Sequence, residues 1–166
     1  VEGIGGAAGI EVNTAGTTTF GGAVSGATLA FVTTDALGTT AINGGTVTTT
    51  GAQTYNDAVS LGADTTLTST GGGNIAFANT VDGAVALGVN TAGTTSFAAP
   101  VGATTALASL VSDAAGSTAI NGGAVTTTGA QTYSDPVVLG ADTTFTSTGG
   151  GDIAFAGSVS GGFGLT

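Results

Sequence analysis

The sequence predicts an all-β protein that folds as a parallel β-helix, also called a β-solenoid. Three observations lead to this prediction. The chain repeats itself after about 78 residues, its composition suits strands and turns better than helices, and an apolar motif recurs at the spacing of solenoid coils. A chain that copies itself in this way is more often built for length than for one reactive site.

The repeat is clearest in the segment GAQTY at 51–55, which returns unchanged at 129–133. Before it, VNTAGTT at 12–18 returns at 89–95, and this shift is one residue shorter than the shift of GAQTY. We therefore predict a single β-solenoid domain over 1–166, built from two repeats of about 78 residues and about four coils each. The predicted boundaries are repeat 1 over 1–80, repeat 2 over 81–158, and the start of a third repeat over 159–166.

The composition narrows the classes of function. The chain has ten acidic residues and no Lys, Arg or His, so its net charge is -10 and no ion pair between side chains can form. Phosphate groups are bound chiefly through Lys and Arg, so we predict no nucleic-acid partner. No apolar run approaches the roughly 20 residues of a membrane helix, so we also predict no membrane insertion.

Strands are favoured along the whole chain. The 32 glycines interrupt every window of helical length, and Thr and Val are poor helix formers. Apolar and polar residues alternate in TTLTS at 65–69 and in NIAF at 74–77, as expected of strands with one buried face.

A motif of one large apolar residue, a few small residues and a Val recurs through both repeats. Its four occurrences per repeat lie on average roughly 19 residues apart, within the range of solenoid coils. The individual spacings are uneven. For example, the interval from Ile42 to Tyr55 is much shorter than the interval from Phe20 to Ile42. We predict that the leading residues stack inward from coil to coil, about 4.8 Å apart. They are Phe20, Ile42, Tyr55, Phe77, Phe97, Ile120, Tyr133 and Phe155.

Corners are marked by Asn-Gly-Gly at 43–45 and 121–123, where positive φ is tolerated. Acidic residues also repeat at predicted corners, where their simplest role is to bond the backbone of a turn. We predict no cofactor; the alternative is that stacked corner acids bind Ca²⁺. The candidate ligands are Asp57, Asp64, Asp135 and Asp142.

Catalysis is poorly supported, and we predict that the protein is not an enzyme. A nucleophile such as Ser needs a neighbouring His or Lys, and the chain has neither. One enzymatic alternative is a carbohydrate-active β-helix that uses Asp57 and Asp64 as paired carboxylates. Another alternative is an ice-binding solenoid that uses the Thr runs at 17–19, 48–50 and 126–128.

The segments VNTAGTTTFGGAV at 12–24 and TTTGAQTYNDAV at 48–59 resemble the β-strand repeats of filamentous-haemagglutinin-like bacterial exoproteins and large repeat adhesins. The resemblance implies a right-handed parallel β-helix rod, secreted or held at the bacterial cell surface. Such a rod projects an adhesive tip or builds a matrix fibre. The resemblance carries over no catalytic residues.

Together these observations predict a structural or adhesive extracellular rod. Its expected partners are copies of itself, either stacked head to tail or joined in tandem, and host or cell-surface glycans. We expect stacking because solenoid ends without caps leave strand edges unpaired. The residues predicted to form the stacking ends are Val1, Ile4, Ile10, Val12, Val159, Phe163 and Leu165.

Overall fold

The computed structural model of this chain describes residues 8–166, so the predicted stacking residues Val1 and Ile4 lie outside the described part. The described residues form 20 strands and no helix, and every strand pairing is parallel. This confirms the predicted all-β solenoid. No segment between residues 8 and 166 is a helix long and apolar enough to cross a membrane.

The strands form three sheets that wind around one core. The first sheet has eight strands: β1 (Ala8–Val12), β3 (Leu29–Thr34), β6 (Gln53–Tyr55), β9 (Ile75–Phe77), β12 (Thr94–Phe97), β14 (Ser117–Ile120), β17 (Val137–Leu139) and β20 (Val159–Ser160). The third sheet has six: β5 (Thr46–Thr49), β8 (Thr65–Ser69), β11 (Ala86–Thr91), β13 (Ser109–Ser112), β16 (Gln131–Tyr133) and β19 (Ile153–Phe155).

The second sheet consists of two parts that a single residue connects. One part has four strands: β2 (Thr17–Phe20), β4 (Thr39–Ile42), β7 (Ala58–Leu61) and β10 (Val81–Asp82). The other part pairs β15 (Ala124–Thr127) with β18 (Thr144–Ser147). Val101 lies between the parts and bridges to Val81 on one side and to Val125 on the other.

The chain visits the first, second and third sheets in turn and then starts the next coil. Seven turns separate the first and last strands of the eight-stranded sheet. Paired positions in that sheet run from Ile10 to Val159. One turn therefore takes roughly 21 residues, a usual length for a solenoid coil. This is slightly longer than the average spacing of the sequence motif.

The uneven spacing of the apolar motif has a simple geometric cause. Phe20 and Ile42 lie in the same sheet one full turn apart, whereas Ile42 and Tyr55 lie on different sheets, two strands apart along the coil. The short interval is thus two sides of a coil, and the long intervals are whole coils. One repeat has three long intervals and one short interval, so it contains three and two-thirds turns, close to the predicted four.

The fractional turn rotates the second repeat by one sheet relative to the first. The strands β1 to β10 and the bridging residue Val24 occupy eleven successive strand positions, and β11 to β20 and the bridging residue Val101 occupy the next eleven, at three positions per turn. Accordingly β1 of the first sheet corresponds to β11 of the third, and β4 of the second sheet corresponds to β14 of the first. Equivalent residues of the two repeats therefore face different sides of the rod.

The predicted inward stacking is confirmed, in more than one column. Tyr55, Phe77 and Phe97 are buried in successive turns of the first sheet, with ring centroids 5.3 and 5.0 Å apart. Phe20 and Ile42 are buried in the second sheet. These stacks run along the axis because parallel strands in register place equivalent side chains directly above one another.

A polar cluster lies within this apolar core. Gln53 is fully buried, and its side-chain amide donates to the backbone oxygens of Val47 and Thr68 at 3.2 and 3.0 Å. The Tyr55 hydroxyl donates to Gln53 Oε1 at 3.0 Å. Gln131 and Tyr133 repeat the arrangement. A buried amide with partners on two successive turns ties those turns together.

Glycine is required at the Asn-Gly-Gly corner for two different reasons. Gly45 has a φ of 71°, a conformation that side chains with a Cβ rarely adopt. Gly44 has an ordinary φ, but a Cβ placed on it would lie 2.0 Å from the backbone carbon of Gly22 in the turn below. The corner predicted at 43–45 is thus confirmed, and turns approach each other there without side chains between them.

We expect both tyrosines to resist ionisation until the protein unfolds. Burial raises the pKa of Tyr55 above its ordinary value of about 10, and burial together with Asp135 raises the pKa of Tyr133. Because these pKa values are raised in the folded state, the contribution of the two tyrosines to the free energy of unfolding is fully present below about pH 10 and is lost as the pH rises above it. Near-ultraviolet absorbance during an alkaline titration measures this, since the chain has two Tyr and no Trp. Tyrosinate absorbance that rises near pH 10 while circular dichroism still shows the fold would contradict the prediction.

Candidate functional site

Two of the four candidate calcium ligands are buried carboxylates. Asp57 is 1% exposed at the corner between β6 and β7. Its Oδ1 accepts hydrogen bonds from the hydroxyls of Thr34 and Thr40, both at 2.8 Å, and its Oδ2 accepts from Thr40 at 2.9 Å. Thr34 and Thr40 lie on either side of the equivalent corner, one turn below Asp57. Asp57 therefore joins two stacked corners through hydroxyl donors.

The second repeat builds the same cluster from slightly different residues. Asp135 is 2% exposed and accepts from the hydroxyl of Ser112 at 2.6 Å and from that of Thr118 at 2.9 and 3.0 Å. Ser112 takes the place of Thr34, so the hydroxyl is retained and the methyl group is lost. Retention of both donors in the two repeats indicates that the hydroxyls bind the carboxylate rather than merely fill space.

The other two candidates, Asp64 and Asp142, are exposed and bond the backbone of the next turn. Asp64 Oδ1 accepts from the backbone N–H of Ala86 at 2.9 Å. Asp142 Oδ1 accepts from the backbone N–H of Gly164 at 2.7 Å. In both repeats the donor lies one turn ahead, so each carboxylate fastens its own corner to the corner above.

The structure does not bring the paired carboxylates of the glycosidase alternative to one corner. Asp57 precedes β7 and Asp64 follows it, so the two residues lie at opposite ends of this strand. Asp57 is buried, whereas Asp64 is exposed. In residues 8–166 no three acidic side chains come together as a metal site would require.

A shallow groove of about 330 Å³ lies where the third sheet meets the preceding loop. No carboxylate contributes to it, so it lacks the acid and base of a glycoside hydrolase. Its walls consist of small and hydroxyl-bearing residues: Ser25, Gly26, Ala27, Thr48, Thr49, Thr50 and Thr70.

The threonine runs predicted for the ice-binding alternative contribute only to short rows of threonines along the solenoid axis, which we call threonine files. On the third sheet Thr46 and Thr48 of β5 pair with Thr66 and Thr68 of β8, which places hydroxyls in two successive turns. In the next turn Gly88 and Asn90 take the equivalent positions. Thr49, in the middle of the 48–50 run, is buried and donates to the backbone oxygen of Gly51 at 2.6 Å.

The predicted stacking residues that the structure describes lie at the two ends of the solenoid. Ile10 and Val12 are half-buried in β1, which is an edge strand of the first sheet. At the other end Val159 is 37% exposed, and Phe163 and Leu165 are each 50% exposed. These apolar side chains mark the turns where the described ladder begins and ends.

The buried glutamines and the hydroxyl donors of the two carboxylates were not identified from the sequence. A signal was present, because Gln53 and Tyr55 belong to the segment that returns unchanged in the second repeat. Identity over such a segment indicates side chains with specific partners. The partners themselves come from other turns, and only the coil register reveals them.

No protein family, no curated protein sequence and no solved structure matches this chain significantly.

We expect Asp57→Ala to destabilise the fold by about 3 kcal/mol, because the buried hydroxyls of Thr34 and Thr40 lose their shared acceptor. Asp64→Ala is the matched control, since it removes a single exposed hydrogen bond and should cost less than about 1 kcal/mol. Urea unfolding followed by circular dichroism measures both. Equal losses for the two variants would show that the buried cluster contributes nothing particular.

Proposed function

We propose that this chain is a rod-forming segment of an extracellular bacterial surface protein, in which the repeat supplies length. The observation that supports the proposal is the way in which one repeat continues the other. Leu87 and Val89 of the second repeat pair with Thr65 and Leu67 of the first, in the same parallel ladder that joins turns within a repeat. A further repeat can therefore extend the rod without a new kind of interface.

The chemistry of the chain agrees with a structural role. Each carboxylate described above is bound by hydroxyl or backbone donors within the fold, and the groove contains no ionisable group. The surface location follows the resemblance to filamentous-haemagglutinin-like exoproteins and large repeat adhesins. An acidic chain without cysteine is suited to such a location, because it stays soluble and forms no accidental disulfides.

Glycans of host or bacterial cells are the partners that this proposal assigns to the rod. Thr46 and Thr48 pair with Thr66 and Thr68 of the next turn, none of the four is buried, and their hydroxyls can exchange hydrogen bonds with sugar hydroxyls. The absence of basic residues is no obstacle to neutral sugars. Single contacts of this kind are weak, so adhesion would depend on many repeats acting together.

We expect one added repeat to lengthen the molecule by roughly 18 Å, the rise of three and two-thirds turns at about 4.8 Å per turn. The variant carries a second copy of residues 88–165 inserted after Leu165, which keeps the register of the repeat. Small-angle scattering measures the maximum dimension. The control is an insert of the same composition in shuffled order. An added repeat that leaves the length unchanged, or behaves like the shuffled insert, would contradict the proposal.

We expect the rod with the added repeat to bind immobilised glycans more tightly than the original chain, because the two differ only in the number of repeats. Incubation of either protein with polysaccharides should release no reducing sugar. Release that Asp64→Asn abolishes would instead support the glycosidase alternative. Equal retention of both lengths on every glycan would contradict the adhesive part of the proposal and leave the structural part intact.

A further inference from the structure

The chain contains one interface between the end of a repeat and the start of the next. There β11 lies on β8, with Leu87 paired to Thr65. In the same way β12 lies on β9, and the ring of Phe97 stacks on that of Phe77 with their planes inclined by 1°. Val101 then bridges to Val81. This internal interface defines how a repeat accepts its successor.

Residues of the same types occur at both ends of the described solenoid. The first-repeat equivalents of Leu87, Val89, Phe97 and Val101 are Ile10, Val12, Phe20 and Val24. The residues 78 positions after Thr65, Leu67, Phe77 and Val81 are Thr143, Phe145, Phe155 and Val159. The first turn of the solenoid therefore has the residue types that β11, β12 and Val101 contribute to the internal interface. The last turns have the residue types that β8, β9 and Val81 contribute to it.

We propose that a second copy of this chain docks end to end in the register of the internal interface. This inference rests on the proposed function, because it takes the repeat ladder as the means of extension. The pairs are Ile10 of one copy on Thr143 of the other, Val12 on Phe145, Phe20 on Phe155, and Val24 on Val159. The next copy is consequently rotated by one sheet, as the second repeat is relative to the first.

The end formed by β19 and β20 has the properties that such docking needs. Each of these strands pairs with a single neighbour among the described residues, so one edge of its backbone can still accept a strand. Phe155 is half-buried, with one ring face on Tyr133 at a centroid distance of 5.1 Å. Phe20 of the incoming copy would cover the other face, as Phe97 covers Phe77.

Docking in this register requires a local exchange of strands. Leu165 now bridges to Thr143, the position that Ile10 of the second copy would take. Backbone hydrogen bonds hold this segment in place, and in one of them the N–H of Thr166 donates to the oxygen of Thr143 at 2.9 Å. Residues 163–166 and β1 of the second copy are thus alternatives for one place, and the incoming strand displaces the resident segment.

Disulfide cross-linking tests the register, because the chain has no cysteine of its own. In the double variant Val24→Cys/Val159→Cys the two residues lie in the first and last turns of one molecule, so they meet only between copies. Paired positions on adjacent strands are close enough to form a disulfide. The matched control is Val24→Cys/Val138→Cys, in which Val138 is an exposed valine in the turn below on the same sheet as Val159.

We expect a ladder of covalent oligomers from the first pair under mild oxidation at about 0.15 M salt, where repulsion between the acidic copies is screened. Removal of residues 163–166 should accelerate cross-linking roughly tenfold, because the few backbone hydrogen bonds of that segment no longer have to be broken. Leu165→Ser is a milder second variant and should act in the same direction. Circular dichroism verifies that each variant is folded.

The outcomes separate the parts of the inference. Equal ladders from the test pair and the control pair would mean random association and would overturn the register. The absence of a ladder even after removal of 163–166 would overturn docking between copies, whereas the length of the rod with an added repeat tests the proposed function independently. If cross-linking is no faster after removal of residues 163–166, the proposed strand exchange would be overturned.

Discussion

The structure depends on one constraint: the strands pair only with strands of the turns above and below, so the ladder of backbone hydrogen bonds runs along the axis. Parallel pairing in register fixes the position of every residue along the axis and keeps inward side chains in columns. Because each turn has small residues at its corners, turns can approach closely enough to satisfy that ladder. The stacked rings of Tyr55, Phe77 and Phe97 are a direct consequence.

The length of the repeat is the feature with the widest consequences. Eleven strand positions at three per turn cannot complete whole turns, so equivalent residues return to the same side of the rod only after three repeats. Identical side chains therefore do not accumulate into one file along a face, which agrees with the short threonine files of the third sheet. A rod with this rotation would present each feature of its repeat on three sides.

A chain without basic residues has to bind its own carboxylates by other means. Asp57 and Asp135 are buried and accept from hydroxyls, whereas Asp64 and Asp142 bond backbone N–H groups of the next turn. All four were candidate calcium ligands in the sequence, where an acidic corner residue looks the same whether it faces inward or outward. Burial and the partners from neighbouring turns distinguish the two pairs.

The sequence by itself determined the all-β solenoid, its repeat nature and the inward anchors, because periodicity and turn residues are local signals. It could not reveal that the interval from Ile42 to Tyr55 is two sides of a coil, nor that Thr34 and Thr40 bind Asp57. Both depend on which residues of successive turns lie together. That register is decided by the tertiary structure, since it follows from the length of every corner summed around the coil.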